Sequence, residues 1–215
     1  MDRKRTKTPK RKKEPENVSG WREAWGYIKV FLLAVLAAFL ICHFVIVNAV
    51  VPTGSMENTI LSHSRVIGNR LAYVGSAPQR GDIVIFHYPV DEKSLYIKRI
   101  IGLPGETVSI REGKIYINDS TEPLEEDYLP EEWVYANDGY TFQVPEDSYL
   151  VLGDNRNVSL DARFWAQEAV NAGLASNLEE AQSYTYVARD KIVAKAVLVY
   201  WPPSQIHLIK HHSYQ

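Results

Sequence analysis

Thr107-Val108-Ser109-Ile110-Arg111-Glu112-Gly113-Lys114-Ile115-Tyr116-Ile117-Asn118 is the stretch that decides the fold. Val108 and Ile110 alternate with polar residues before Glu112-Gly113, and Ile115 and Ile117 alternate after it. A period of two marks a strand with one buried face, and a two-residue link containing glycine joins antiparallel neighbours. A parallel crossover needs a dozen or more residues, so this segment excludes a β-α-β unit here.

The same pattern extends outward. Short β-branched runs at residues 82–88, 95–102, 140–144, 148–152 and 191–201 are separated by Gly, Pro, Asn and Asp, which predicts a mainly β, antiparallel body. Residues 166–183 dissent: they are rich in Ala, Glu, Gln and Leu, and Asn177 followed by Glu180 has capping-box spacing, so a small helical insertion is expected there. The chain has 215 residues, 46% hydrophobic and 23% charged, which suits one domain with an appendage and excludes wholesale disorder.

Upstream, residues 30–51 carry no formal charge, and twenty-two residues at about 1.5 Å each make about 30 Å of helix. This is the length of one membrane span. The run continues into Pro52-Thr53-Gly54-Ser55 rather than into a small-residue cut site, so the expectation is a retained anchor and not a cleaved leader. His43 and Asn48 are read as interfacial or helix-partner side chains. Eight of the first thirteen residues are Lys or Arg, and positive flanks stay cytoplasmic. Residues 1–29 hold ten bases against four acids, net +6, while the rest holds 14 against 22, net −8. Topology and anionic lipid explain the basic tail more simply than nucleic acid does. The expected organisation is a basic cytoplasmic tail (1–26), a transmembrane helix (27–51), a β ectodomain (52–202) and a frayed tail (203–215).

Cys42 is the only cysteine, which excludes an intramolecular disulfide and a Cys-based zinc site. The acidic run 122–132 lacks the alternating ligands and glycine of a calcium loop and reads as a solvated loop; the histidines show no metal spacing. No metal, cofactor or nucleic-acid partner is expected.

Three segments bear chemistry. Ser55 sits in a Gly-containing turn just past the span, where a hydroxyl and a backbone N–H can converge on one carbonyl, although serines in turns are usually only turn formers. In 95–101, a strand puts Tyr96, Lys98 and Ile100 on one face, so Lys98 points with apolar neighbours. A desolvated lysine loses its proton more readily and can serve as a base; the plain alternative is a lysine that snorkels from an exposed edge. Residues 153–163, Gly-Asp-Asn-Arg-Asn-Val-Ser-Leu-Asp-Ala-Arg, are dense in short polar groups, either a structured support or a polar surface turn.

Together, and in this order after one span, these segments resemble bacterial type I signal peptidases, membrane-bound Ser/Lys proteases. Ser55-Met56 with Thr59 is similar to the family's S-M-x-P-T box, Arg80-Gly81-Asp82-Ile83-Val84 to R-G-D-[IV]-V, residues 96–106 to the lysine box, and 153–163 to G-D-N-R-x-x-S-x-D-[SA]-R. Asn58 stands where the family usually has Pro. The resemblance implies an endopeptidase that removes signal peptides from exported preproteins after A-x-A-like residues through an acyl-enzyme. It implies Ser55 as nucleophile, Lys98 as general base, Ser159 as the group that orients the lysine, and Thr53 with the Ser55 N–H as oxyanion hole. Arg99, Asp154, Asp161 and Arg163 would be structural supports, and Val51, Met56, Ile60, Tyr96 and Ile97 would line shallow pockets. The implied location is the bacterial cell membrane, single-pass, with the N-terminus cytoplasmic and the catalytic domain outside. Two rivals stay open: a specialised peptidase for one secretion or pilus precursor, and a non-catalytic, membrane-anchored peptide-binding domain.

Overall fold

The computed structural model describes residues 17–214, so the basic tail before residue 17 lies outside the described residues. The chain divides into two compact units, Met1–Ile41 and Cys42–Gln215. The first consists of helix α1 (Asn17–Leu40), which runs on into a π-helical turn, Ile41–Val45. The continuous helical stretch Gly20–Val45, whose most apolar 18-residue window has a mean hydropathy of 2.6, is long and apolar enough to cross a membrane. Phe31 and Leu33 are largely exposed, as they would be on a helix whose solvent is lipid.

The helix does not reach residue 51 as the apolar run suggested. Ile46–Val50 instead forms strand β1, paired antiparallel with β2 (Arg65–Asn69) from Ile46↔Asn69 to Val50↔Arg65. Three of its five residues are β-branched, which favours a strand once a partner is available. Val47 is buried and Val50 exposed, the alternation of a strand with one covered face.

The remaining strands are β3 (Ile83–His87), β4 (Leu95–Gly102), β5 (Thr107–Arg111), β6 (Lys114–Ile117), β7 (Tyr140–Gln143), β8 (Ser148–Leu152), β9 (Val187–Ala188), β10 (Ile192–Trp201) and β11 (His207–Leu208). They build an eight-stranded sheet in the order β1-β2-β10-β3-β4-β8-β9, with β11 also on β10, and a three-stranded sheet β6-β5-β7. Every pairing is antiparallel. The β5–β6 hairpin closes through Glu112 and Gly113, both at positive φ (48° and 75°), the primed turn that suits twisted strands. At the end of β4, a Cβ on Gly102 would lie 2.8 Å from Val108 and 3.0 Å from Leu150, so glycine permits the close passage from one sheet to the other. Two apolar clusters result, one around Ile100, Ile110, Leu150 and Trp165, the other around Val51, Met56, Ile60 and Ile85.

The helical insertion begins four residues before the expected 166. Helix α2 spans Ala162–Asn171, and the Asp161 side chain caps it by accepting from the Arg163 N–H. Asn177 Oδ1 accepts the Glu180 N–H at 3.0 Å, and the Glu180 carboxylate accepts from Ser176 N–H at 2.9 Å, which starts a short 3-10 segment, Glu180–Thr185. The C-terminal segment is not frayed. β11 pairs with Leu198 and Val199, His211 Nδ1 lies 2.9 Å from the Asp82 carboxylate, and the Tyr214 and Tyr128 hydroxyls are 2.8 Å apart.

Candidate active site

The turn that carries Ser55 is closed at its base: Val51 N–H donates to the Ser64 carbonyl at 2.9 Å and His63 N–H to the Val51 carbonyl at 2.7 Å. Inside it, Gly54–Met56 makes a single 3-10 turn that follows the extended Thr53. The Ser55 carbonyl accepts the Asn155 N–H at 3.1 Å, so the turn is pinned to the 153–163 loop. Three residues after Ser55, Asn58 is held at φ 77°, and its Nδ2 donates to the Tyr128 carbonyl at 2.9 Å.

Lys98 projects from β4 into this turn. Its Nζ donates to Ser55 Oγ at 2.7 Å, and both residues are buried, 4% and 5% exposed. Among the described residues Lys98 forms no salt bridge. Burial lowers its pKa from 10.5 to about 8; the charges of Asp161 and Asp154 oppose that shift and Arg163 adds to it. The Thr53 hydroxyl reaches the same serine, donating to Ser55 Oγ at 3.4 Å.

On the other face of β4, Arg99 is clamped to Asp154 by two bonds, Nε to Oδ1 at 2.8 Å and Nη2 to Oδ2 at 2.6 Å, and donates to the Gly81 carbonyl at 3.0 Å. The Thr59 hydroxyl also donates to Asp154. The Tyr128 ring covers the guanidinium at 3.9 Å. A second buried pair organises the loop: Asp161 accepts from Gly153 N–H at 3.0 Å and from Arg163 Nε and Nη2 at 2.8 and 2.9 Å. Burial alone would raise the Asp161 pKa, but the Arg163 hydrogen bonds and charge, with the Gly153 N–H, hold it below the usual carboxylate value. Arg156 spans from the Gly153 carbonyl (2.9 Å) to the Glu126 carboxylate (2.6 and 3.0 Å). The acidic run is therefore not wholly solvated, since Glu126 is a nearly buried ion-pair partner.

Ser159 is 4% exposed, and no hydrogen bond joins its Oγ to Lys98 Nζ. It stands close to the serine turn all the same: a Cβ at position 153 would lie 2.1 Å from Ser159 Oγ and 2.5 Å from the Ser55 carbonyl oxygen, so only glycine fits between them.

Thr53, Ser55 and Lys98 open onto a mostly apolar groove of about 210 Å³. Of the pocket residues expected from the sequence, Val51, Tyr96 and Ile97 line it. Met56 and Ile60 do not; they are fully buried in the cluster that also holds Val51 and Ile85. The lining also includes Ala49, Val50, Pro52, Ile85, Leu95, Val158 and Leu160, which the sequence reading missed. Val158 and Leu160 flank Ser159 with period-two spacing, a signal present in the sequence; Ala49 and Val50 were hidden because β1 was read as helix.

Residues 24–201 match the family model for signal peptidase, peptidase S26. The chain is similar to signal peptidase I of Leptolyngbya laminosa, 35% identical over 189 residues that cover 83% of this chain and 80% of that protein. It is also similar to the probable signal peptidase I-2 of Synechocystis sp., at 33% over 95% of this chain and 84% of the other. Signal peptidase I of Bacillus amyloliquefaciens is 37% identical over 71% of this chain and 84% of its own length. A crystal structure of a signal peptidase I from Enterococcus faecalis V583 is 31% identical and covers 56% of this chain and 97% of that chain, with a TM-score of 0.39.

Proposed function

The chain belongs to the signal peptidase family, peptidase S26, which removes signal peptides, and from that premise we propose that it cuts exported preproteins with a Ser55/Lys98 dyad. The observation that carries this reading is the 2.7 Å contact between Lys98 Nζ and Ser55 Oγ, both buried, with no salt bridge to the lysine among the described residues. With its pKa lowered to about 8, a useful fraction of the amine is neutral near neutral pH.

The neutral amine takes the Ser55 hydroxyl proton as Oγ attacks the scissile carbonyl. The Ser55 N–H and the Thr53 hydroxyl donate to the oxygen that becomes negative. Lys98 then passes the proton to the departing amine nitrogen, the C–N bond breaks, and the mature protein leaves while the signal peptide stays esterified to Ser55. A water deprotonated by the same amine attacks the ester, and the proton returns to Ser55 Oγ as the acid product departs. Every group in these steps belongs to the chain, the substrate or water. Arg99, Asp154, Asp161 and Arg163 act one layer behind, holding β4 and the 153–163 loop in register.

Small residues before the cut bond are selected by a groove walled by Val51, Ile85, Tyr96 and Ile97. Helix α1 anchors the enzyme in the membrane, and the basic flank before it keeps the N-terminus cytoplasmic and the catalytic unit outside.

The test is incubation of the detergent-solubilised full chain with a radiolabelled preprotein, followed by sequencing of the product's N-terminus. Cleavage after an A-x-A-like site, absent in Ser55→Ala at equal thermal midpoint, is the expected result; cleavage that survives Ser55→Ala would overturn the dyad. Orientation is read separately from protease added outside spheroplasts, which should digest the catalytic unit and spare the basic tail.

A further inference from the structure

Tyr96 has a double position in this molecule. It lines the groove, and Lys98 Nζ lies 5.8 Å from its ring centroid. Its ring also stacks on Tyr88, 4.2 Å between centroids and 5° from parallel. Behind both rings stands Trp165, fully buried, edge-on to Tyr88 at 5.5 Å and to Tyr96 at 6.4 Å. These are the separations and angles at which aromatic rings attract and interlock. A Tyr96 ring backed in this way cannot draw away from the groove unless Tyr88 or the indole moves first.

The indole itself is firmly held. Trp165 and Ala169 lie one turn apart on the buried side of α2, and the helix is capped by Asp161. The same carboxylate receives Gly153 N–H and both donors of Arg163, so the helix that presents the indole is fixed to the loop that meets the Ser55 carbonyl. Packed interiors transmit such constraints because they contain little free volume.

We infer that Trp165 is a positioning residue for substrate selection: through Tyr88 and Tyr96 it sets the depth of the groove beside Ser55, and with it the largest residue accepted before the cut bond. The inference rests on the dyad reading above. A smaller side chain at 165 leaves space behind Tyr96; the ring relaxes into it and the groove deepens, which admits larger peptide side chains without touching the dyad.

The test compares kcat/KM of the full chain for two peptides that differ only in Ala or Leu before the scissile bond. Hydrophobic pockets discriminate such groups by about 10–200-fold, so Trp165→Leu should lower the Ala-to-Leu preference by about tenfold and Trp165→Phe by about threefold, with the Ala peptide cut at near the wild-type rate. In a Tyr96→Ala background, Trp165→Phe should change the preference no further, which a merely structural loss would not reproduce. Should Trp165→Leu fail to fold, Trp165→Phe decides: an unchanged preference in a folded Trp165→Phe enzyme overturns the inference. A wild-type chain that cuts neither peptide would instead overturn the dyad reading, and this inference with it.

Discussion

Strand β4 carries two buried cations side by side and treats them oppositely. Arg99 points to one face and meets Asp154 in a two-bond clamp; Lys98 points to the other and meets a serine hydroxyl, with no carboxylate partner among the described residues. Arg99 keeps its charge at all accessible pH, as guanidinium does in proteins. Lys98 has been stripped of water without an ion pair in exchange, so its ammonium is the less favoured form there and its pKa falls to about 8. The charge of a buried base is thus decided by what the fold sets opposite it, and one strand can supply both a rigid support and a proton acceptor.

If that division is right, changes on the Lys98 face should cost rate, and changes on the Arg99 face should cost stability. The largest effect is expected for Lys98→Arg: a base that cannot deprotonate should lose about 10²–10⁴-fold in kcat/KM, with the fold intact by circular dichroism. Retention of a tenth or more of the wild-type rate would erase the difference between the two faces. On the opposite face, Asp154→Asn leaves the Arg99 charge buried and uncompensated and should cost about 3–5 kcal/mol in urea unfolding. A normal midpoint with lost activity would move Asp154 to the chemical side.

Thr53 sharpens the reactive face. Thr53→Val, nearly isosteric, should lose about 10²–10³-fold in kcat with KM little changed, while Thr53→Ser keeps most of the activity. Equal kcat values for the two would remove the hydroxyl from the mechanism. The mildest effect is pH dependence. Because the folded-state pKa of Lys98 is depressed, kcat/KM should fall about tenfold per pH unit below about 8 and level off above it. The linkage has a definite sign: the unfolded chain holds the lysine proton more tightly, so the protonated group costs stability below about 8, and that cost is relieved as pH rises toward 10.5. Lys98→Met should therefore be more stable than wild type at pH 7, with the gap closing in alkaline buffer. A gap that widens with pH would refute a depressed lysine.

What could be read from the sequence follows from how local each determinant is. The β5–β6 hairpin and the side of β4 on which Lys98 lies are set by alternation and by one turn, both written in consecutive residues. β1 was missed because an apolar run next to a helix satisfies the helix pattern equally well; its partner β2 lies beyond the 51–64 loop, and only that distant pairing makes it a strand. The same holds for Glu126, whose partner Arg156 is thirty residues away, and for Tyr214, which is ordered by Tyr128. Ser55, Lys98, Asp154, Asp161 and Arg163 were legible as members of short motifs, and the geometry brings them together. Met56 and Ile60 were misassigned because spacing within a compact turn does not tell which side faces the groove and which the core.

Asn58 turns this into a warning for protein engineers. Replacing an unusual residue with the one its relatives favour is a common route to added stability, often about 0.5–2 kcal/mol per site. At this position the favoured residue is proline, whose ring fixes φ near −65°, whereas Asn58 is held at 77° and uses its side-chain amide to grip the Tyr128 carbonyl. Averaging over relatives would here import a residue suited to a different path of the chain, so Asn58→Pro should destabilise the very turn that a consensus designer would mean to stiffen.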